Sequence, residues 1–450
     1  RTIKKTLYIT GLTLLLLLVT LTGLYGLFRS SYVQSRVARM AAAYLSDELH
    51  TRVVVSGLDI SWFMKFKLEG VAIDDQRGNP VLDAEAIKIN IGKLSLRRKF
   101  IGIYNIELNN AHIRMVRYAE DSLMNYAFIT DYFAGPDTAS SQKPFLPWEL
   151  GFSGITVKNS SFLYNNQTTA KKEAGLDYDH LMLSGLNLSV RKLVIKNDSL
   201  SARIHQLSFQ EQSGFILKDF STFLKVSSDS IVANKLHIIT EGSDISMDLK
   251  FSHRNFGAYQ HFTDSVLMQS DIKNSKILLS DIGYFAPELS QIHETVEIDG
   301  QVRGTVSSLT IKKLKLYILR NTWFEGSVSM NGLPDFNETF IDIRVKDFQS
   351  NYYDLTAIRL PGNKPLIIPE QIKNLGNIRI RGFFTGFITD FVSSATFTTE
   401  TGKINTDLSL KSQPNRALAA EGHLDLKDWY LGRSLNASEY LGALNLNAEI

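Results

Sequence analysis

Ile87-Lys88-Ile89-Asn90-Ile91 alternates apolar and polar residues, and this period of two decides the fold. Successive side chains of an extended strand point to opposite faces, so such a run makes one apolar and one polar face. The pattern returns along the chain. Leu181 and Leu183, then Leu186, Leu188 and Val190, then Leu193 and Ile195 repeat it with slips between them. Ile341, Ile343 and Val345 alternate with Asp342 and Arg344, and Leu408 and Leu410 do likewise. Breaks fall at Gly, Asn, Asp and Ser, the residues that turn chains. Short strands, regular turns and few helices predict a mostly β, antiparallel structure from Thr51 onward.

Three stretches interrupt the alternation. Tyr118 to Pro147 reads as an excursion or loop, Asp281 to Ile292 as a short helical insert broken at Pro287, and Leu360 to Ile372 as a proline-bearing loop leading into a helical turn. The second half repeats itself weakly. Ile298 to Gly304 is similar to Ile380 to Gly386, and Ala420 to Leu426 shares the Gly-containing start. Repetition at tens of residues points to an elongated stack of units.

Upstream of Thr51 the period changes to 3.6. Ser31 to Leu49 reads as an amphipathic helix, with Ser30 or Ser31 able to cap its start. Val33, Val37, Met40 and Tyr44, with Ala41 and Leu45, form an apolar stripe expected to plug the open end of the strand array. Arg36 and Arg39 lie towards the other side, read as a solvated face, with lipid head groups as the second reading.

Still further upstream, Thr6 to Phe28 is an uncharged stretch rich in leucine, bracketed by Lys4, Lys5 and Arg29. As a helix it reaches about 35 Å, enough to cross a bilayer core. It is longer than the apolar part of a cleaved signal, and Ala41–Ala43 lie too far on to mark a cleavage site. An uncleaved inner-membrane anchor is therefore expected, with Arg29, Arg36 and Arg39 at the membrane junction. Basic residues on the two flanks nearly balance. The short N-terminal tail predicts a single pass with the bulk of the chain exported to the periplasm. The resulting division is 1–29 anchor, 30–50 helix capping the groove, 51–280 first strand region, and 281–450 further strand repeats.

The 450 residues carry a net charge of +3, from 49 basic and 46 acidic side chains, which gives no reason to expect nucleic acid. Cysteine is absent, so there is no disulfide and no thiolate ligand or nucleophile. The chain begins at Arg1 and stops at Ile450 within an alternating pattern, as expected of a piece of a longer protein. No two of the nine histidines have the spacing of a helical zinc motif. Asp177-Tyr178-Asp179-His180, the densest ligand-like cluster, reads as a polar turn before a strand. Gly151-Phe152-Ser153-Gly154 lacks the pattern of a nucleophile elbow, and there is no phosphate-binding glycine loop. No enzyme, cofactor or metal is expected.

Anchor, amphipathic helix and alternating strands follow in an order that resembles the AsmA-like superfamily, most closely its TamB (translocation and assembly module) branch as found in Bacteroidota. The matching blocks are Tyr32 to Gln34 and Tyr44 to Ser46, Val53 to Trp62, Leu68 to Asp74, Gly78 to Ala84 and Asp121 to Phe128. Later blocks are Asp281 to Leu289 with Gly300 and Gly304, then Gly382 to Phe391, Thr401 to Ile404 and Gly422 to Gly442. The family's C-terminal TamB domain has no counterpart in this sequence. The resemblance implies an elongated, partly closed β-groove, taco-like in section, whose apolar lining bridges inner and outer membranes. It implies phospholipid transport, or outer-membrane protein assembly with a TamA-like barrel partner.

Alternation alone fits a sandwich with a dry core as well as an open groove, because both bury one face of each strand. The anchor and the resemblance favour the groove. Its candidate lining is Ile87, Ile89, Ile91, Leu186, Leu188, Val190, Ile341, Ile343, Leu408 and Leu410, with acyl chains as the cover.

Overall fold

A computed structural model describes residues 30–61, 64–134, 149–196, 198–360, 362–412, 418–434 and 439–449. The expected anchor Thr6–Phe28, Arg29 and Trp62 lie outside these. Among the described residues no helix is long and apolar enough to cross a membrane. The chain divides into two compact units, the first holding residues 1–173, 177–194 and 205–214, the second the remainder.

In the first unit, helix α1 (Ser31–Leu49) leads into β1 (Val53–Ser61), β2 (Lys65–Asp74), β3 (Pro80–Ser95) and β4 (Phe100–Arg117). These four pair antiparallel in chain order. After α2 (Ala127–Ala134) come β5 (Glu149–Phe152), β6 (Gly154–Asn166) and β7 (His180–Lys196). Here the expected antiparallel order breaks. Both β5 and β6 run parallel to β4, with Ile101 opposite Leu150 and Ile106 opposite Ile155. A parallel neighbour needs a crossover of about a dozen residues or more. The excursion that begins at Tyr118 supplies it, returning the chain to the start of β4. Strand β7 then pairs antiparallel with β6.

The strands are also longer than expected. β4 has 18 residues and β7 has 17. The slips in the leucine pattern of 181–195 are not turns but points inside one strand where Gly185 and Lys192 take φ of +60° and +52°. The same device recurs at Asn159, Lys235, Asn274 and Asp428. Each of these sits where the register shifts, and its N–H is accepted by a short side chain of the next strand: Asn187, Asp248, Asp299 and Asn445, at 2.7–3.0 Å. A left-handed residue turns its N–H out of the ladder, and an Asx oxygen opposite satisfies it.

Helix α1 has the expected bounds, but the expected face is reversed. Gln34, Ala38, Ala42 and Leu49 are buried, whereas Val37, Met40 and Tyr44 are exposed. The cause is the free edge of β1. Its unpaired N–H groups need acceptors: Ile60 N donates to Gln34 Oε1 at 2.9 Å, Leu58 N to Ser35 Oγ at 3.4 Å and Val53 N to Ser46 Oγ at 2.8 Å. Two alanines allow the close approach these bonds require. Polar edge-capping thus outcompetes burial of the apolar stripe. Ser30 occupies the N-cap position without a side-chain cap bond.

The second unit takes up the first part of β8 (Ser199–Glu211), residues 199–204, followed by β9 (Ile216–Leu217). Then come β10 (Asp219–Val226), β11 (Ser230–Ile239), β12 (Asp244–Ser252), α3 (Phe262–Ser265) and β13 (Leu267–Leu278), and next α4 (Leu279–Ile282), β14 (Thr295–Gly304), β15 (Ser308–Ile318), β16 (Thr322–Asn331) and β17 (Phe340–Asn351). After α5 (Tyr352–Ala357) and the small hairpin of β18 (Arg359–Leu360) and β19 (Lys364–Pro365) the sheet resumes with β20 (Asn377–Phe387), β21 (Asp390–Thr399), β22 (Gly402–Ser412) and β23 (Leu418–Tyr430). Helix α6 (Leu431–Ser434) and β24 (Ala443–Glu449) follow. From β10 to β17 and from β20 to β24 each strand pairs antiparallel with the next, and β17 pairs with β20.

A helical insert follows every fourth strand: α4 after β13, α5 after β17 and α6 after β23. The third residue of α4 and of α5 is an aspartate that reaches back to hydroxyls of an earlier turn or strand start. Asp281 accepts from Thr240 and Ser243, and Asp354 from Thr322 and the N–H of Asn321. The similar segments Ile298–Gly304 and Ile380–Gly386 fall in β14 and β20, each the first strand after an insert. Ala420–Leu426 lies in the fourth strand instead. The expected helical turns near Pro287 and Ile372 are present as 3-10 turns at Pro287–Leu289 and Glu370–Leu375.

Candidate apolar binding face

Register brings the scattered apolar residues together. In the first unit Leu58, Leu68, Ile87, Leu108, Val157 and Leu188 lie opposite one another across six strands. The next row is Ile60, Phe66, Ile89, Ile106, Ile155 and Val190. Ile87 and Leu188, and likewise Ile89 and Val190, are distant in sequence and meet in one row. Ile91 starts a shorter row through Ile103 to Phe152. Leu186 lies opposite Ser160 at a bulge and is buried.

The second unit repeats this on a larger scale. Ile298, Leu316, Phe324, Phe348, Ile380, Phe397, Ile404, Leu426 and Leu446 form an unbroken row across nine strands. Beside it runs Val302, Ile311, Val328, Ile343, Phe384, Ser393 and Leu408. A third row joins Ile341 to Phe391 and Leu410 through Gly386. The candidate lining expected from the sequence supplies one or two residues of each of the other rows but none of the nine-residue row. It missed Phe324, Phe348, Ile380 and Phe397, although Phe348, Ile380 and Phe397 stand in runs that alternate no less clearly.

Not one member of the nine-residue row is buried. Among the described residues the largest completely buried side chain is Val266. A closed sandwich of these strands would bury the leucines and phenylalanines of that row; here every member of the row stays accessible. Neither ladder closes on itself, since among the described residues β1 pairs only with β2 and β24 only with β23.

Two apolar hollows lie on the face in the second unit. One of about 300 Å³ is lined by Leu314, Phe324, Val328 and Ile343, the other of about 580 Å³ by Ile380, Phe397, Ile404 and Leu408, and Phe348 borders both. The larger is roofed by Leu355, Ile368, Ile372 and Leu375 from the α5 insert. Its size falls in the ordinary range for small-molecule sites, and its lining offers almost no polar group to select one.

The opposite face is charged. Lys88 and Lys158 sit 2.9 and 3.0 Å from Glu107, and Arg379 grips Asp347 with two bonds of 2.5 and 2.6 Å. Partial burial pushes the Glu107 carboxyl up, but the two lysines outweigh it and bring it down to about 2. The Arg379 fork holds Asp347 at about 2 as well.

Elsewhere, Asp177 accepts from the N–H groups of Lys172 and Asp179 and from His180 Nδ1, so the ligand-like cluster is a satisfied turn. No group of His, Asp and Glu suited to a metal occurs among the described residues. Arg36 and Arg39 are exposed on α1, and Arg29 lies outside the described residues.

Residues 1–216, just under half of the chain, match the model of the AsmA family, which supports the AsmA-like superfamily for that part. No curated protein and no solved structure matches the chain.

Proposed function

We propose that the apolar face carries phospholipid acyl chains. The protein acts as a TamB-type conduit, anchored in the inner membrane by Thr6–Phe28, with the bulk of the chain in the periplasm and phospholipid moving towards the outer membrane. The observation that carries this reading is the nine-residue apolar row left half-exposed beside hollows with almost no polar lining. Uncovered apolar surface of this extent is costly in water, at about 25 cal/mol per Å². Acyl chains cover it without directional bonds, so they can slide along rows that offer no fixed polar contact. The work assigned to the protein is non-covalent and needs no catalytic group or cofactor. The similarity of residues 1–216 to the AsmA family supports the same reading.

The test is transfer of pulse-labelled phospholipid between membranes of cells lacking the protein. Transfer slows and is restored by the wild-type chain but not by Ile89→Asp. A loss confined to outer-membrane barrel proteins, with lipid transfer unchanged, would contradict the conduit and favour an assembly scaffold with a TamA-like partner.

A further inference from the structure

The apolar stripe of α1 is uncovered at Val37 and Met40, as is the neighbouring Tyr32, whereas Tyr44 further along meets Glu48 and Tyr132 of α2. Tyr32 is 67% exposed, Val37 56%, Met40 66% and Tyr44 51%. Val33 lies on the same side, half-buried. The opposite side of the helix is committed to the edge of β1 through Gln34, Ser35 and Ser46. The stripe therefore cannot roll inward without breaking those bonds. Arg36 shares the outward side with Met40, and Arg39 flanks it; both are exposed. The acidic residues of the helix, Asp47 and Glu48, stand at its far end.

Position in the chain selects the partner. The helix starts at Ser31, three residues after the end of the apolar stretch Thr6–Phe28. If that stretch spans a bilayer, α1 begins within about 10 Å of the point where the chain leaves it. An amphipathic helix with aromatic and aliphatic residues on one side and arginines beside them suits the interface of an anionic leaflet. There the apolar side sinks to the acyl boundary and the basic groups meet phosphates.

We infer that α1 lies flat on the anionic phospholipid surface at the anchor's exit, with Tyr32, Val33, Val37 and Met40 immersed and Arg36 and Arg39 bound to head groups. This rests on the membrane reading of Thr6–Phe28. In this position the helix does two jobs: its polar side closes the edge of β1, and its apolar side fixes the first strand of the sheet at the height of the lipid it receives.

The absence of cysteine makes the test direct. Single Leu16→Cys, Val37→Cys, Met40→Cys and Tyr317→Cys chains are labelled with an environment-sensitive fluorophore. They are placed in nanodiscs of phosphatidylcholine with or without phosphatidylglycerol. With the anionic lipid, labels at 16, 37 and 40 are quenched by spin-labelled lipid and shielded from iodide, while that at 317 stays open to iodide. Arg36→Glu with Arg39→Glu returns labels 37 and 40 to iodide, and Arg36→Lys with Arg39→Lys leaves them shielded. Label 16 in lipid with labels 37 and 40 in water would overturn the interfacial helix and leave the anchor standing. Label 16 in water would overturn both.

Discussion

Asp347 and Phe348 are consecutive in β17 and serve opposite faces of the same sheet. The aspartate is gripped by Arg379 at 2.5 Å, while the phenylalanine borders both apolar hollows between Phe324 and Ile380. The two-faced character of the molecule is compressed into this pair, and its predictions divide along it.

On the apolar side, Phe348→Ala distinguishes a lining from a core. Truncating a fully buried phenylalanine costs about 3–5 kcal/mol. Phe348 is only half-buried, so the loss is expected at about 1–2 kcal/mol, read as a small shift in urea midpoint with an unchanged slope. A loss at the full core value would mean that the face is closed and dry.

On the charged side, stability has a defined acid limit. Glu107 and Asp347 have folded values near 2 against ordinary values of 4.5 and 3.8. Because the folded values are depressed, the stabilisation is complete above the ordinary carboxylate range and is lost as pH falls towards about 2. Thermal melting between these limits should show a falling Tm, with a shallower fall for Asp347→Asn. A fall centred near neutral pH would contradict this assignment.

Edge closure by α1 predicts a local effect. Ser46 Oγ accepts from Val53 N and donates to Val53 O. Ser46→Ala together with Gln34→Ala should speed hydrogen exchange at Val53 and Ile60 roughly fivefold or more, at about 1 kcal/mol per lost bond, with strands of the second unit unchanged.

Glycine is required at Gly304, which closes β14 with φ +125° and leaves no room for a Cβ against the Ser308 carbonyl. Gly304→Ala is expected to cost about 1–3 kcal/mol in chemical denaturation. The same change at Gly78, which has nothing near its Cβ position, pays only the strain of its own φ of +80°.

Much of this was legible in the sequence. Alternation at Ile87–Ile91 and Ile341–Val345 marked strands and the side each presents, and Pro287 and the prolines before Ile372 marked the inserts. What was hidden depends on partners remote in sequence. A bulge at Gly185 and a turn look alike in a hydropathy pattern, because each shifts the alternation by one. The parallel pairing of β4 with β6 is set by where the Tyr118 excursion lands. The stripe of α1 was read as buried because burial is the usual fate of such residues; the unpaired N–H groups of β1 decided otherwise. Within the apolar face, alternation identified Ile343 and Leu408 but could not show that they share a row.

The conduit is tested most directly at Phe348, replaced by a photo-activatable phenylalanine analogue in the full chain and irradiated in intact cells. The account predicts adducts with phospholipid, reduced by Ile343→Asp in the neighbouring row. Crosslinks confined to neighbouring strands of the same chain, with no lipid adduct, would contradict it.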